Sequence, residues 1–164
     1  MIRTLLLFVL GGCAPETPTV GACMEGEPSL TLGQTTSGGF TALTEGDLVR
    51  ATDSRGEDAT SPEASGDAYL SVAGDVVGLA DDEAWSGVFR VRFADGPSRD
   101  ALGAVVSTCG DNGPARVGLS VPLGVPVDDV NGLDGATFTL SATITDEGGR
   151  SADQSLNLVL DGQD

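Results

Sequence analysis

Any chemistry in this chain has to come from carboxylates, hydroxyls or thiols, because it contains no histidine and no lysine. The usual general bases, a Ser-His-Asp relay and a Schiff-base lysine are therefore missing. No GxSxG elbow, GxxxxGK[ST] loop or HExxH helix occurs. Two carboxylates suffice for glycoside hydrolysis, yet with 25 acidic residues a close pair is expected by chance. The inventory reads as that of a protein without catalytic activity.

Acid clusters have a second use, as hard oxygen ligands for Ca²⁺. They occur at Asp81-Asp82-Glu83, Asp128-Asp129 and Asp146-Glu147. Measured against D-x-[DN]-x-[DN]-G, the segment DDVNGLDG has Asp129 and Asn131 in register but Leu133 at the third ligand position. Asp81, Asp82, Asp128, Asp129 and Asn131 are thus weak Ca²⁺ candidates. The other reading of such acids is as solvated turn formers that keep the surface soluble. No other cofactor is implied.

The acids also fix the net charge at −17, and all eight basic residues are arginine. Such a surface repels phosphate backbones and anionic headgroups, so nucleic acid is not an expected partner. High net charge can mark disorder. Here 40 % hydrophobic residues and clear periodicity argue for a folded chain.

The N-terminus carries one charge, Arg3, before Glu16, and an unbroken apolar run from Leu5 to Leu10. That run is far short of the ~20 residues of a membrane-spanning helix. It ends in Leu10-Gly11-Gly12-Cys13, which resembles the lipobox of bacterial lipoproteins. The resemblance implies that residues 1–12 are a signal peptide that is removed, and that the Cys13 thiol receives a diacylglyceryl group. It also implies a membrane partner through that lipid. Ala14 stands where an aspartate would retain a lipoprotein at the inner membrane, so outer-membrane delivery is implied. Secretory signals usually run ~15–30 residues; this shorter one fits a compact signal or a start codon upstream of Met1. Residues 13–22, with Pro15 and Pro18, read as a tether. Residues 23–164 are enough for one domain.

With Cys13 assigned to lipid, Cys23 and Cys109 remain to pair in an oxidising compartment. Closing that loop would stabilise the fold by roughly 4–5 kcal/mol in the chain-entropy model. The alternative is two free or metal-binding thiols, although no CxxC spacing or histidine completes a zinc site.

The elements behind these residues are strands. Phe89, Val91 and Phe93 alternate with Arg90 and Arg92. Val117, Leu119, Val121 and Leu123 alternate in ARVGLSVPL, as do Phe138, Leu140, Ala142 and Ile144 in ATFTLSATIT. Leu156, Leu158 and Leu160 share a face of SLNLVL. Period-two patterns of this kind mark strands with one buried face. Shorter candidates are Ser29–Leu32, Phe40–Leu43, Asp47–Ala51, Tyr69–Ala73 and Ala101–Cys109, separated by Gly, Pro, Asp and Ser clusters. Pro122 marks its strand as an edge or a bulge. Asp53–Asp67 is a long polar insertion, expected to be disordered rather than functional. Trp85 reads as a core anchor rather than a ligand platform. Arg90 and Arg92 read as cross-sheet ion-pair partners rather than a local basic spot.

The segment LDGATFTLSATITDEGGRSADQSLNLVL resembles the closing hairpin of bacterial immunoglobulin-like domains, with Asp146, Gly148 and Gly149 as the turn residues. The layout of the mature chain also resembles a class of small acidic lipoproteins of high-GC Gram-negative bacteria. These share a cysteine soon after the anchor, a Gly-Asp such as Gly46-Asp47, a central cysteine and this hairpin. The resemblance implies an immunoglobulin-like antiparallel β-sandwich of about 7–9 strands. It implies a fold and an address but no chemistry, since a sandwich hosts many unrelated functions; the chain is read as an envelope binding or structural module without catalytic activity, with an envelope protein or a glycan as the expected partner. The alternative is a Ca²⁺-dependent adhesion or carbohydrate-binding domain using the acidic loops.

Overall fold

Residues two apart in an extended chain point to the same side of a sheet, so the alternating runs dictate both strands and their buried faces. The structure is a computed structural model and describes residues 26–36, 39–79, 84–94, 96, 98–105 and 115–162. The signal segment, Cys13, the tether, Cys23, Asp81, Asp82 and Cys109 lie outside the described residues. Within them run β1 (Ser29–Thr36), β2 (Gly39–Ala42), β3 (Leu48–Val49), β4 (Asp67–Val77), β5 (Trp85–Phe93), β6 (Ser98–Val105), β7 (Ala115–Pro126), β8 (Thr137–Thr145) and β9 (Ser151–Leu160). A short 3-10 helix, Val127–Leu133, joins β7 to β8.

The molecule is mostly β, in two sheets. One has the order β2-β1-β4-β7 and the other β3-β9-β8-β5-β6. Among the described residues all strand pairings are antiparallel except one: β3 lies parallel to β9, with Leu48 opposite Val159 and Val49 opposite Leu160. The expected antiparallel arrangement is departed from at this one ladder, which makes the five-stranded sheet mixed. Between β2 and β3 the chain changes sheets instead of folding back as a hairpin. The Asp47 carboxylate accepts the Thr44 N–H at 2.7 Å and fixes the crossover. Gly46 N–H then donates to Asn157 O at 2.8 Å, and Val159 N–H to Asp47 O at 3.0 Å, which docks β3 in the direction of β9. The five-stranded sheet is curled into a half-barrel.

The apolar rows meet in one core. Leu32, Leu70 and Val76 face Trp85, Phe89, Leu140, Ile144 and Leu158, all fully buried. Trp85 is therefore a core anchor. Pro122 lies on an edge strand and beside a bulge: Tyr69 pairs with Pro122 but Asp67 with Pro126, so residues 123–125 stand opposite Ala68 alone. A residue without an N–H is tolerated there because an edge ladder leaves positions unpaired.

Asp53–Asp67 takes a defined path instead of the expected disorder. Its organiser is Asp53, whose side chain is buried although the sequence around it is polar. One carboxylate oxygen accepts the N–H groups of Arg55 at 2.8 Å and Glu57 at 3.1 Å; the other accepts Arg55 Nε–H at 2.8 Å. Turn bonds such as Ala59 N–H to Ala51 O at 3.0 Å and Ser61 N–H to Asp58 O at 2.9 Å continue the loop, and Ala59 joins the core. A buried carboxylate with three donors satisfies a loop that composition alone leaves unexplained.

The strand directions define two poles. At one lie the start of β1, the ends of β4 and β6, and the starts of β5 and β7. The β5–β6 turn, the 3-10 helix and the start of β8 lie at the other. Phe89 sits midway, fully buried. Phe89→Ala should destabilise the domain by about 3–5 kcal/mol through lost burial and a residual cavity, read as a lowered urea midpoint with little change in slope.

Candidate functional site

Seven arginines lie among the described residues, and five are tied to carboxylates. Two of these pairs are direct cross-strand neighbours. Arg90 faces Asp100 in the β5–β6 ladder and binds it through two bonds of 2.7 Å. Arg116 faces Asp75 in the β4–β7 ladder, at 2.8 and 3.2 Å, and its guanidinium stacks over the Phe40 ring at 4.7 Å. The hydrogen bonds from Arg90 hold the Asp100 carboxyl below its usual range, against partial desolvation. The sequence expectation for Arg90 is met. Arg92 makes no ion pair among the described residues.

Two pairs fix turns. Arg150 N–H and Nε–H bind the two oxygens of buried Asp146 at 2.8 and 2.9 Å across the β8–β9 turn. Asp146 is thereby committed to the hairpin, in which Gly149 adopts a φ of 83°. Asp53 holds Arg55 in the same manner. For Asp53, burial pushes the carboxyl up, but hydrogen bonds from the Arg55 side chain and from the Arg55 and Glu57 N–H groups outweigh it. The net displacement is downward.

The acidic candidates among the described residues lie at opposite poles, Asp128 and Asp129 at one and Asp146 at the other. Asp128 and Asp129 occupy the first turn of the 3-10 helix and point into solvent, as does Asn131, while Val127 and Val130 of the same helix are buried. The segment compared with a calcium loop is thus a helical cap on the core. Among the described residues no group of three or more His, Cys, Asp or Glu side chains converges on a metal position.

What the sequence reading missed is a cleft of about 580 Å³ at the pole of the β5–β6 turn. Phe93 and Arg99 form one wall, Leu123, Gly124 and Val125 of β7 another, and Leu133, Ala136 and Thr137 the floor. Arg99 stands opposite Val91, so it points to the inner side of the sheet. Because β6 is the sheet's edge, its guanidinium reaches past the core and lies over Gly124. Gly124 has a φ of 77°, and a Cβ there would come within 2.6 Å of Arg99 Nε. Glycine is required twice, for the backbone conformation and for room beneath the guanidinium. Arg99, like Arg92, makes no ion pair among the described residues. Arg92 lies on the outer face beside a smaller hollow of about 390 Å³ that includes Thr139 and Asn157. Phe93 borders both hollows and packs on Phe138, with ring centroids 5.5 Å apart.

Comparison of the chain with protein-family models, curated proteins and solved structures finds no match.

The lowered Asp53 carboxyl stabilises the fold above its unfolded pKa near 3.8, and the contribution disappears as pH falls through the lower folded value. Asp53→Asn should therefore lower the melting midpoint at neutral pH. It should also shrink the loss of midpoint that wild type suffers between neutral pH and about pH 3, read by circular dichroism.

Proposed function

We propose that this chain is a lipid-anchored binding module of the cell envelope, without catalytic activity, held at the outer membrane by Cys13 and presenting the Arg99 cleft away from the bilayer. The observation that carries the reading is the position of the cleft at the pole opposite the start of β1. The nine residues of β5 span about 30 Å between the poles. A tether entering at Ser29 thus leaves the cleft clear of the membrane.

The domain is read as immunoglobulin-like. The neighbours β1, β4 and β7 follow the order of strands A, B and E, while β5, β8 and β9 follow C, F and G. β6 flanks the C-equivalent strand, and the β2 hairpin and the parallel β3 are additions to that plan.

Cys23 and Cys109 are read as a disulfide. Cys23 precedes Ser29 by six residues, and Cys109 precedes Ala115 by six. Ser29 and Ala115 begin strands at the same pole, with only β4 between them, about 10 Å apart. Six residues reach up to about 20 Å, so the thiols can meet without displacing either strand.

Expression in a Gram-negative host should yield a membrane-bound chain that starts at Cys13 and carries diacylglyceryl mass, whereas Cys13→Ser should move to the soluble fraction. A wild-type chain that still starts at Met1, or one without lipid mass, would overturn the anchor. Non-reducing peptide mapping should recover a Cys23–Cys109 cross-link; alkylation of both thiols without reduction would rule it out.

A further inference from the structure

Five arginines of the described residues each receive a carboxylate in a chain that has 25 of them, but Arg99 lies against glycine backbone in an apolar wall. An exposed guanidinium beside buried Leu123 and the half-buried Phe93, Val125 and Leu133 is one half of a charge-assisted contact, and its natural complement is a carboxylate. At about 580 Å³ the cleft lies within the range that accommodates a small organic ligand. A net charge of −17 opposes polyanions, so the ligand's charge has to be single and local. Besides Arg99, Thr137 is the polar side chain among the described lining residues. Sugar hydroxyls or peptide amides entering the cleft would lose water with few side chains to replace it, whereas methylenes lose nothing of that kind.

Resting on the reading of the chain as a binding module, the geometry points to a single-chain aliphatic carboxylate as the ligand of this cleft. Its carboxylate sits on the Arg99 guanidinium and its chain against Phe93, Leu123, Val125 and Leu133.

The test is calorimetric titration of the full chain carrying Cys13→Ser with octanoate, octanol and a tripeptide of leucine with a free C-terminus. Octanoate should bind, and Arg99→Gln should weaken it roughly 10- to 100-fold, the loss expected for a hydrogen bond to a charged group. Arg92→Gln, on the outer face, should leave it unchanged. Equal octanoate affinity in wild type and Arg99→Gln would overturn the assignment. So would octanol binding as tightly as octanoate, or the tripeptide binding more tightly. Leu133→Glu separates the two levels of the argument. If octanol binds in a manner that Leu133→Glu abolishes while octanoate does not bind, the carboxylate assignment fails and the binding cleft stands. If none of the three probes binds, the cleft reading fails with it.

Discussion

Two rows of apolar side chains, brought to facing sides by strict alternation, have to find each other before anything else in this molecule can be positioned. Leu32, Leu70 and Val76 supply one row; Trp85, Phe89, Leu140, Ile144 and Leu158 supply the other. A one-residue slip in any of these strands would turn its whole row to solvent, so register is set by burial more than by local preference. The seam between sheets is closed at its sides by β6 against β7 and by β1 against β9. On the second side, Gln154 of β9 accepts the Leu32 N–H at 2.5 Å, a donor that the short β2 hairpin leaves uncovered. That bond spans 122 residues of sequence and ties the last strand to the first.

Charge is fitted around this frame. Exposed ion pairs contribute little individually, and the pairs Arg90–Asp100 and Arg116–Asp75 are better understood as consequences of register. Once two strands are aligned by their apolar faces, opposite residues on the wet face are brought within bonding distance and opposite charges settle there. The pairs with an enclosed carboxylate and a half-exposed arginine work differently. Asp53 and Asp146 are enclosed because each satisfies the N–H groups of its own turn, and an unsatisfied carboxylate in either position would be costly. Each of these two connections therefore carries its own counter-charge.

How much of this can be read from sequence depends on whether the information is local. β5, β7, β8 and β9 are legible because their alternation is unbroken, and the edge character of β7 is legible from Pro122. β1 continues through Gly33 to Thr36, where no apolar pattern signals a strand, because Phe40 of the adjacent hairpin folds its ring over Gly33. β3 shrinks to Leu48–Val49 because only those residues stand in ladder register with β9, while Gly46 and Asp47 reach it through single backbone bonds. The polar run after Asp53 looks the same in sequence whether its carboxylate is hydrated or enclosed, and only the folded turn decides. Arg99 is less legible still. Its neighbours GPS and Asp100 suggest a turn, and its inward direction emerges only from the pairing with Val91 across a ladder.

The placement of Arg99, which with Arg92 is one of two described arginines outside the ion pairs, shows how an exception to local rules carries more information than the rules. In a chain with a charge of −17, carboxylates are abundant and guanidinium groups scarce, so a cation near the surface ordinarily acquires a counter-charge from the nearest strand. Arg99 escapes because its ladder partner is Val91 and because the opposing β7 bends away beyond Pro122, offering Gly124 backbone instead of a side chain. The same bulge that accommodates the proline thus opens the cleft and keeps its one cation available. Long-range repulsion from the acidic surface is screened beyond about 8 Å at physiological ionic strength. Within that distance the local guanidinium outweighs the distant field, so the carboxylate proposed for this pole would rely on Arg99 together with apolar burial. An acidic chain built in this way would, on the proposed reading, disfavour polyanions over the described surface while presenting one guanidinium to a single carboxylate at one end.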